Sequence, residues 1–368
     1  MRNADSIAVD LPTVNPALSE FRLSPERWLV PVLAVFLGLV LLAGLGIGAL
    51  SISPGQVLAI LASQVGIELP WSFTEREAAV LLHIRTPRIF VGALAGAALA
   101  LGGALMQALF RNPLADPGLI GVSSGAAVAA ASVTVVGPAF LPALGLSPLY
   151  VMPVAAFLGG WGVTALVMRV ADTAGRVRVD HLLLAGIALN AMAFAGIGVL
   201  MLIADDAQLR EVAFWNFGSL GRADWSIAPL LLALVLPILW WGRRYAPWLN
   251  ALLLGEGEAA LLGVPVERVK RVAVLLTCVA VGATISFTGL IGFVGLVAPH
   301  IVRLLSGPDH RRLIPASALL GAALLPLADI FSRTVAAPVE LPIGLVTALL
   351  GAPFFLYLLI REQRREAA

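Results

Sequence analysis

The stretch Gly121-Val122-Ser123-Ser124-Gly125 has the Gly-x-Ser-x-Gly spacing of a nucleophile elbow, in which a strand-to-helix turn presents a serine hydroxyl to a His–acid pair. Here the motif opens an apolar helix and no strand precedes it, which argues against acyl chemistry. The histidines His83, His181, His300 and His310 are the other side chains that could do chemistry, but none lies at ligand spacing from another. No metal site is expected. Cys278 is alone, so an intrachain disulfide is excluded. The only lysine, Lys270, follows Val269, whereas a P-loop needs Gly-Lys-Ser/Thr to hold nucleotide phosphates. By that motif the chain is not an ATPase.

The elements that carry these residues are membrane spans. Of the 368 residues, 60% are hydrophobic and 12% charged, and the mean hydropathy is +0.95. A soluble domain has roughly a quarter of its residues charged. The 36 glycines and 24 prolines then read as helix-packing and helix-breaking signals within the bilayer. The formal net charge of +2 does not call for nucleic acid. Residues 1–27 carry Asp5, Asp10, Glu20 and Glu26 and no early apolar run, which fits a cytoplasmic tail better than a cleaved leader.

From residue 28 to 368 we read one transmembrane domain. Crossing a bilayer core takes about 20 apolar residues. Runs of this kind start near Trp28, Ile89, Gly118, Val151, His181, Ile227, Val272, Gly292, Leu313 and Ile343, which predicts an all-α protein of about ten spans. With both termini in the cytoplasm, 18 of the 24 Lys and Arg residues fall inside, as the positive-inside rule requires. That orientation places the turn Arg111-Asn112-Pro113-Leu114-Ala115-Asp116-Pro117 on the cytoplasmic face. Asp116 and Pro117 suit the N-cap and first position of the next helix. Gly118-Leu119-Ile120-Gly121 recurs as Gly289-Leu290-Ile291-Gly292 five spans later, the signature of an inverted internal repeat.

Six motifs occur in a telling order: Arg85-Thr86-Pro87-Arg88; the Arg111–Pro117 turn, preceded by Gln107 and followed by Gly121-Val122-Ser123-Ser124-Gly125-Ala126; Leu262-Gly263-Val264-Pro265; Gly289 to His300; Glu340-Leu341-Pro342-Ile343-Gly344; and Leu350-Gly351-Ala352-Pro353. Together they resemble the permeases of bacterial ATP-driven importers for iron complexes, haem and vitamin B12. The resemblance runs from about residue 28 to the C-terminus.

It implies a multi-pass protein of the bacterial inner membrane, working as a homodimer surrounded by lipid. Two ATP-binding cassette ATPases, carrying ATP and Mg, would sit below and a periplasmic substrate-binding protein above, with no cofactor on this chain. The segment 252–271 would couple it to the ATPase through Glu256, Glu258, Ala259, Leu262, Gly263, Val264 and Pro265. Arg85, Arg88 and Arg333 would dock the binding protein, and Asn112 and Leu114 would form the exit gate. For the pathway, Asn190 and Met192 are candidates, because polar side chains within spans usually face a cavity or another helix.

The pattern Phe214-Trp215 with Gly218-Ser219-Leu220 resembles the haem branch, so haem is the expected substrate. A ferric siderophore or vitamin B12 is the alternative. An ion-driven secondary transporter and an intramembrane serine protease are more distant ones.

Overall fold

The structure, a computed structural model, describes residues 25–366 apart from Ala49 and Pro338, so the expected 1–27 tail lies almost wholly outside the described residues. The chain is helical throughout, with one minimal hairpin. The first helix is α1 (Pro25–Gly46). It is followed by the short α2 (Pro54–Ser63), where the Ser53 hydroxyl accepts the Gln56 N–H and the Gln56 amide oxygen accepts the Ser53 N–H. Thr74 and Glu77 make the same capping box for α3 (Glu75–Ala79). From there the helix continues through a π-turn at Val80–Arg85 into α4 (Thr86–Phe110). A second span expected to begin near Ile89 is therefore the later part of a 36-residue helix.

The helix α4 ends where Arg111 turns left-handed, φ 49°. Asp116 does act as a cap, accepting the Gly118 N–H at 2.7 Å, but the element it caps is a 3-10 turn, Pro117–Ile120. Gly121, at φ 81°, then starts α5 (Val122–Val135), so this helix begins four residues later than the apolar run. Next come α6 (Pro148–Ala171), the hairpin β1 (Asp172–Thr173) and β2 (Arg176–Val177), and α7 (Val179–Ile203). Between α7 and the next long helix lies α8 (Asp206–Phe217), capped by Asp205. The remainder comprises α9 (Ile227–Arg244), α10 (Ala246–Leu254), α11 (Glu256–Leu261), α12 (Val266–Thr288), α13 (Val294–Ser306), α14 (His310–Thr334) and α15 (Ile343–Glu366).

Among the described residues, eight helices are long and apolar enough to cross a bilayer. They coincide with eight of the expected runs. The other two are shorter: α13 has 13 residues, and the apolar part of α15 is Ile343–Tyr357. The reason at α13 is local, since Gly289 and Phe293 take φ of 70° and 66° and keep the Gly-Leu-Ile-Gly segment out of the helix.

Burial ranks the helices. In the helix that ends in α4, 89% of the best apolar window is buried, against 17% for α7. The centre is held by backbone-to-backbone approaches at glycine, the packing mode available when lipid removes the hydrophobic drive between helices. A Cβ on Gly96 would meet the Gly321 carbonyl of α14 at 2.1 Å, and one on Gly103 would meet the Gly295 carbonyl of α13 at 1.7 Å.

Candidate functional site

The expected gate turn is held by its own side chains. Asn112 Oδ1 accepts the Leu114 N–H at 2.9 Å, and the Asn112 carbonyl accepts the Ala115 N–H. Asn112 is exposed and Leu114 half-buried. Burial pushes the Asp116 carboxyl above its ordinary range, opposed by the Gly118 N–H.

Beside this turn lies a cavity of about 260 Å³ lined by both copies of the internal repeat. One wall has Asp116 to Leu119 with Ser123 and Ser124, and the other Leu290 to Phe293. Asn190 of α7 reaches into it. Its Nδ2 donates to the Gly118 carbonyl at 3.1 Å, and its Oδ1 lies 2.5 Å from the Ser124 hydroxyl, which is also 3.1 Å from the Gly121 carbonyl. Gly186 lets α7 come this near, since a Cβ there would stand 1.8 Å from the Leu119 carbonyl. Asn190 thus lines the cavity. Met192 does not line it and is 68% exposed on the outer face of α7. The partners of Ser124 are a carbonyl and an amide oxygen, neither of them a general base.

A second cavity, of about 560 Å³, collects segments far apart in sequence. It is lined by Arg111, Asn112 and Ala115 of the turn, by Arg176 to Asp180 at the hairpin and start of α7, and by Glu256, Glu267 and Lys270. The gate turn and the proposed coupling segment therefore share one end of the bundle. Within that segment Glu258, Leu262, Gly263 and Pro265 are exposed, while Ala259 and Val264 are buried and serve the chain's own packing. The acidic start of this segment forms α11, which stops before Gly263, φ 80°.

Near the start of α4, the three arginines expected to face a partner are buried with acceptors inside the chain. Arg85 donates to the carbonyls of Leu45 and Gly46 at 2.8 Å and to that of Leu50. Arg88 holds Asp329 and Glu340, with contacts of 2.8 to 3.1 Å to the two carboxylates. Arg333 donates to the Gly44 carbonyl at 2.6 Å and lies 3.6 Å from Asp329. Arg85 is the last residue of the π-turn Val80–Arg85 and meets the C-terminal end of α1; such turns often mark functional positions in helices. His310, at the start of α14, is fully buried, with its N–H and Nδ1 at 2.9 and 2.8 Å from Asn250 Oδ1. Among the described residues no group of three or more His, Cys, Asp or Glu could hold a metal ion.

Known proteins share this architecture. The model of the FecCD transport family matches residues 35–361. The chain belongs to the FecCD transport family. The hemin transport system permease protein HmuU of Yersinia pestis is 41% identical over 343 residues, 93% of this chain and 98% of that one. The vitamin B12 import system permease protein BtuC of Escherichia coli is 41% identical over 340 residues, 92% and 96% of the two chains. Among solved structures, an inward-facing metal-chelate type ABC transporter superposes with a TM-score of 0.76 at 31% identity, over 91% of this chain and 99% of that one. PsaBC from Streptococcus pneumoniae, at TM-score 0.52 and 18% identity, shares the fold. This FecCD protein is therefore a multi-pass transport subunit of the ABC permease type.

Two features of the FecCD chain escape sequence reading. Leu254 and Leu261 are 66% and 90% exposed at the ends of α10 and α11, on the same segment as the expected coupling residues. In sequence they sit in the apolar strings Ala251–Leu254 and Ala259–Leu262, where nothing distinguishes an outward leucine from a buried one. Lys270 is legible in sequence only as a missing P-loop, yet it is the largest fully buried side chain of the described residues.

Proposed function

We propose that this chain is half of the membrane pore of an ATP-driven importer that carries haem across the bacterial inner membrane. It pairs with a second copy, crosses the bilayer ten times with both termini in the cytoplasm, and rests on two ATP-binding cassette subunits. The short α13 and α15 supply the ninth and tenth crossings beside the eight long helices. A periplasmic binding protein delivers the substrate at the Arg88 end. ATP and Mg stay on the ATPases. The observation that carries this reading is the exposed Leu261–Leu262 tip of α11, with its acidic first turn, at the same end as the Arg111–Pro117 turn.

An exposed apolar tip with few contacts of its own suits a groove in a partner, where a few well-packed residues dominate binding. Leu261→Asp is expected to weaken association with the ATPase by about 2 kcal/mol, roughly 30-fold, without loss of folded permease. Co-elution of the two subunits on size exclusion measures it. Retained co-elution would place the docking surface elsewhere.

The gate is assigned to Asn112 and Leu114. The prolines at 113 and 117 stiffen the turn, so it moves as a unit when the helices behind it tilt. Leu114→Gly is expected to raise passive leak through reconstituted dimers several-fold, measured by dye release from liposomes lacking ATP. A tight variant would leave the turn as an ordinary connection.

Docking of the binding protein through Arg85, Arg88 and Arg333 means exchange of partners, because each already has an acceptor within the chain. Arg88 is the position best placed for it, since the Glu340 side chain is half exposed. Haem is favoured over vitamin B12 by the Phe214-Trp215 and Gly218-Ser219-Leu220 pattern of α8 and its exit, and similarity to a hemin permease is compatible with it. Equal identity to a vitamin B12 permease keeps that cargo, or a ferric siderophore, as the second reading. Absorbance titration of the cognate binding protein with haem, vitamin B12 and a ferric siderophore decides between them. Tight binding of either alternative with no haem binding would overturn the haem assignment.

A further inference from the structure

Lys270 lies in the first turns of α12, 1% exposed, with its ammonium bonded in three directions. It contacts Glu256 of α11 at 2.7 Å, Glu267 of its own helix at 2.8 Å and the Val177 carbonyl at 2.5 Å. An ammonium has three donors, so these partners saturate it. Glu267 also accepts the Val177 N–H at 2.7 Å, so one pair of α12 side chains captures both backbone groups of the last hairpin residue. The next residue, Arg271, holds the other strand and the turn through Asp172 at 2.7 Å and the Gly175 carbonyl at 3.0 Å. Val177 is followed by Arg178, the N-cap of α7, the helix whose Asn190 enters the cavity between the repeat loops.

Three segments therefore meet on one buried cation. The hairpin and the start of α7 are fixed to α12 on one side. The tip-bearing α11 is tied on the other, through a single contact to Glu256. A buried ammonium with saturated bonds does not exchange partners freely, because a lost partner leaves one of its donors unsatisfied away from water. A displacement of α11 along this tie must draw Lys270, and with it Val177, or break the contact.

We infer that Lys270 is the positioning residue that transmits movement of α11 to the hairpin at the start of α7, and so to the cavity wall at Asn190. This rests on the reading of α11 as the ATPase-docking element. Two carboxylates and a carbonyl set around one cation form a continuous physical link between the three segments, of the kind that can carry coupling.

The test uses the full complex of permease, ATPase and binding protein in lipid nanodiscs, with one spin label per permease chain at either Gly257→Cys or Arg176→Cys, both exposed positions. Pulsed dipolar spectroscopy reads the distance between symmetry-related labels with and without trapped ATP. In the otherwise unaltered complex both label pairs are expected to shift. With Lys270→Met the 257 pair still shifts and the 176 pair stays in its nucleotide-free distribution, while uptake per ATP hydrolysed falls at least tenfold. Lys270→Arg, which keeps charge and reach, restores the 176 shift. A merely structural lysine would not separate the two labels.

If the methionine variant does not yield folded complex, Glu256→Ala removes only the α11 arm and is expected to give the same separation. Full movement of the 176 pair in Lys270→Met, or in Glu256→Ala where that variant stands in, overturns the inference and leaves the docking role of α11 intact. A 257 pair that ignores ATP in the unaltered complex overturns both.

Discussion

Replacing Asp329 with leucine is expected to cost about 3–5 kcal/mol of stability, the range for leaving a buried charge without its partner. Asp329 is 1% exposed and lies between two buried guanidinium groups, with Arg88 Nη2 at 2.8 Å and Arg333 Nε at 3.6 Å. Its loss leaves Arg88 with Glu340 alone and removes the carboxylate from beside Arg333. The sign follows from desolvation, because guanidinium groups stay charged and cannot escape by releasing a proton. Thermal unfolding of the detergent-solubilised protein, followed by size-exclusion peak height, measures the effect. Arg88→Met added to Asp329→Leu is expected to recover part of the loss, since an apolar pair of similar volume costs less than a buried guanidinium that has lost one of its two carboxylates. An Asp329→Leu protein as stable as the parent would show that this network is hydrated and contributes little.

Gly103→Ala is the second large effect. The added methyl would stand 1.7 Å from the Gly295 carbonyl oxygen, where real Cβ atoms essentially never come closer than 3.0 Å. The obstacle is backbone, so no side chain can rotate away and α4 and α13 must separate by more than an ångström. Overpacking of a tight core costs about 1–3 kcal/mol, occasionally more. Here the upper end is expected, because α4 is the central helix and its partners are held from several sides. Gly38→Ala in α1 is the matched control, with no atom within 4 Å of the added methyl. The expected outcome is a large loss of folded protein for Gly103→Ala and none for Gly38→Ala, read from membrane yield and melting temperature. Similar behaviour of the two would mean that helix separation is easily absorbed.

Both effects concern residues whose types are visible in the sequence and whose consequences are not. A glycine at 103 reads as one of many in an apolar run. Only the path of α13 makes it indispensable, and that path depends on the left-handed Phe293. Arg88 reads as an arginine at a span entrance, free to face solvent or a partner. The turn of α4 that buries it also brings it to Asp329, 241 residues away, an encounter that no local pattern encodes. The internal repeat shows the opposite case. Its two Gly-Leu-Ile-Gly segments are legible from their composition, and residues of both line one cavity in the structure.

The sequence by itself determined the class of machine. Apolar runs of span length, arginines biased to one set of loops, a lone lysine outside any P-loop and six motifs in order suffice for that, because bilayer thickness and backbone hydrogen bonding leave a long apolar run little choice but to form a crossing helix. Tertiary structure alone decided which charges look inward, which leucines of the 252–271 segment remain outside, and which distant segments meet. Those outcomes depend on how helices rotate and approach one another. The ammonium of Lys270, joining residues 177, 256 and 267, exists only once that packing is complete.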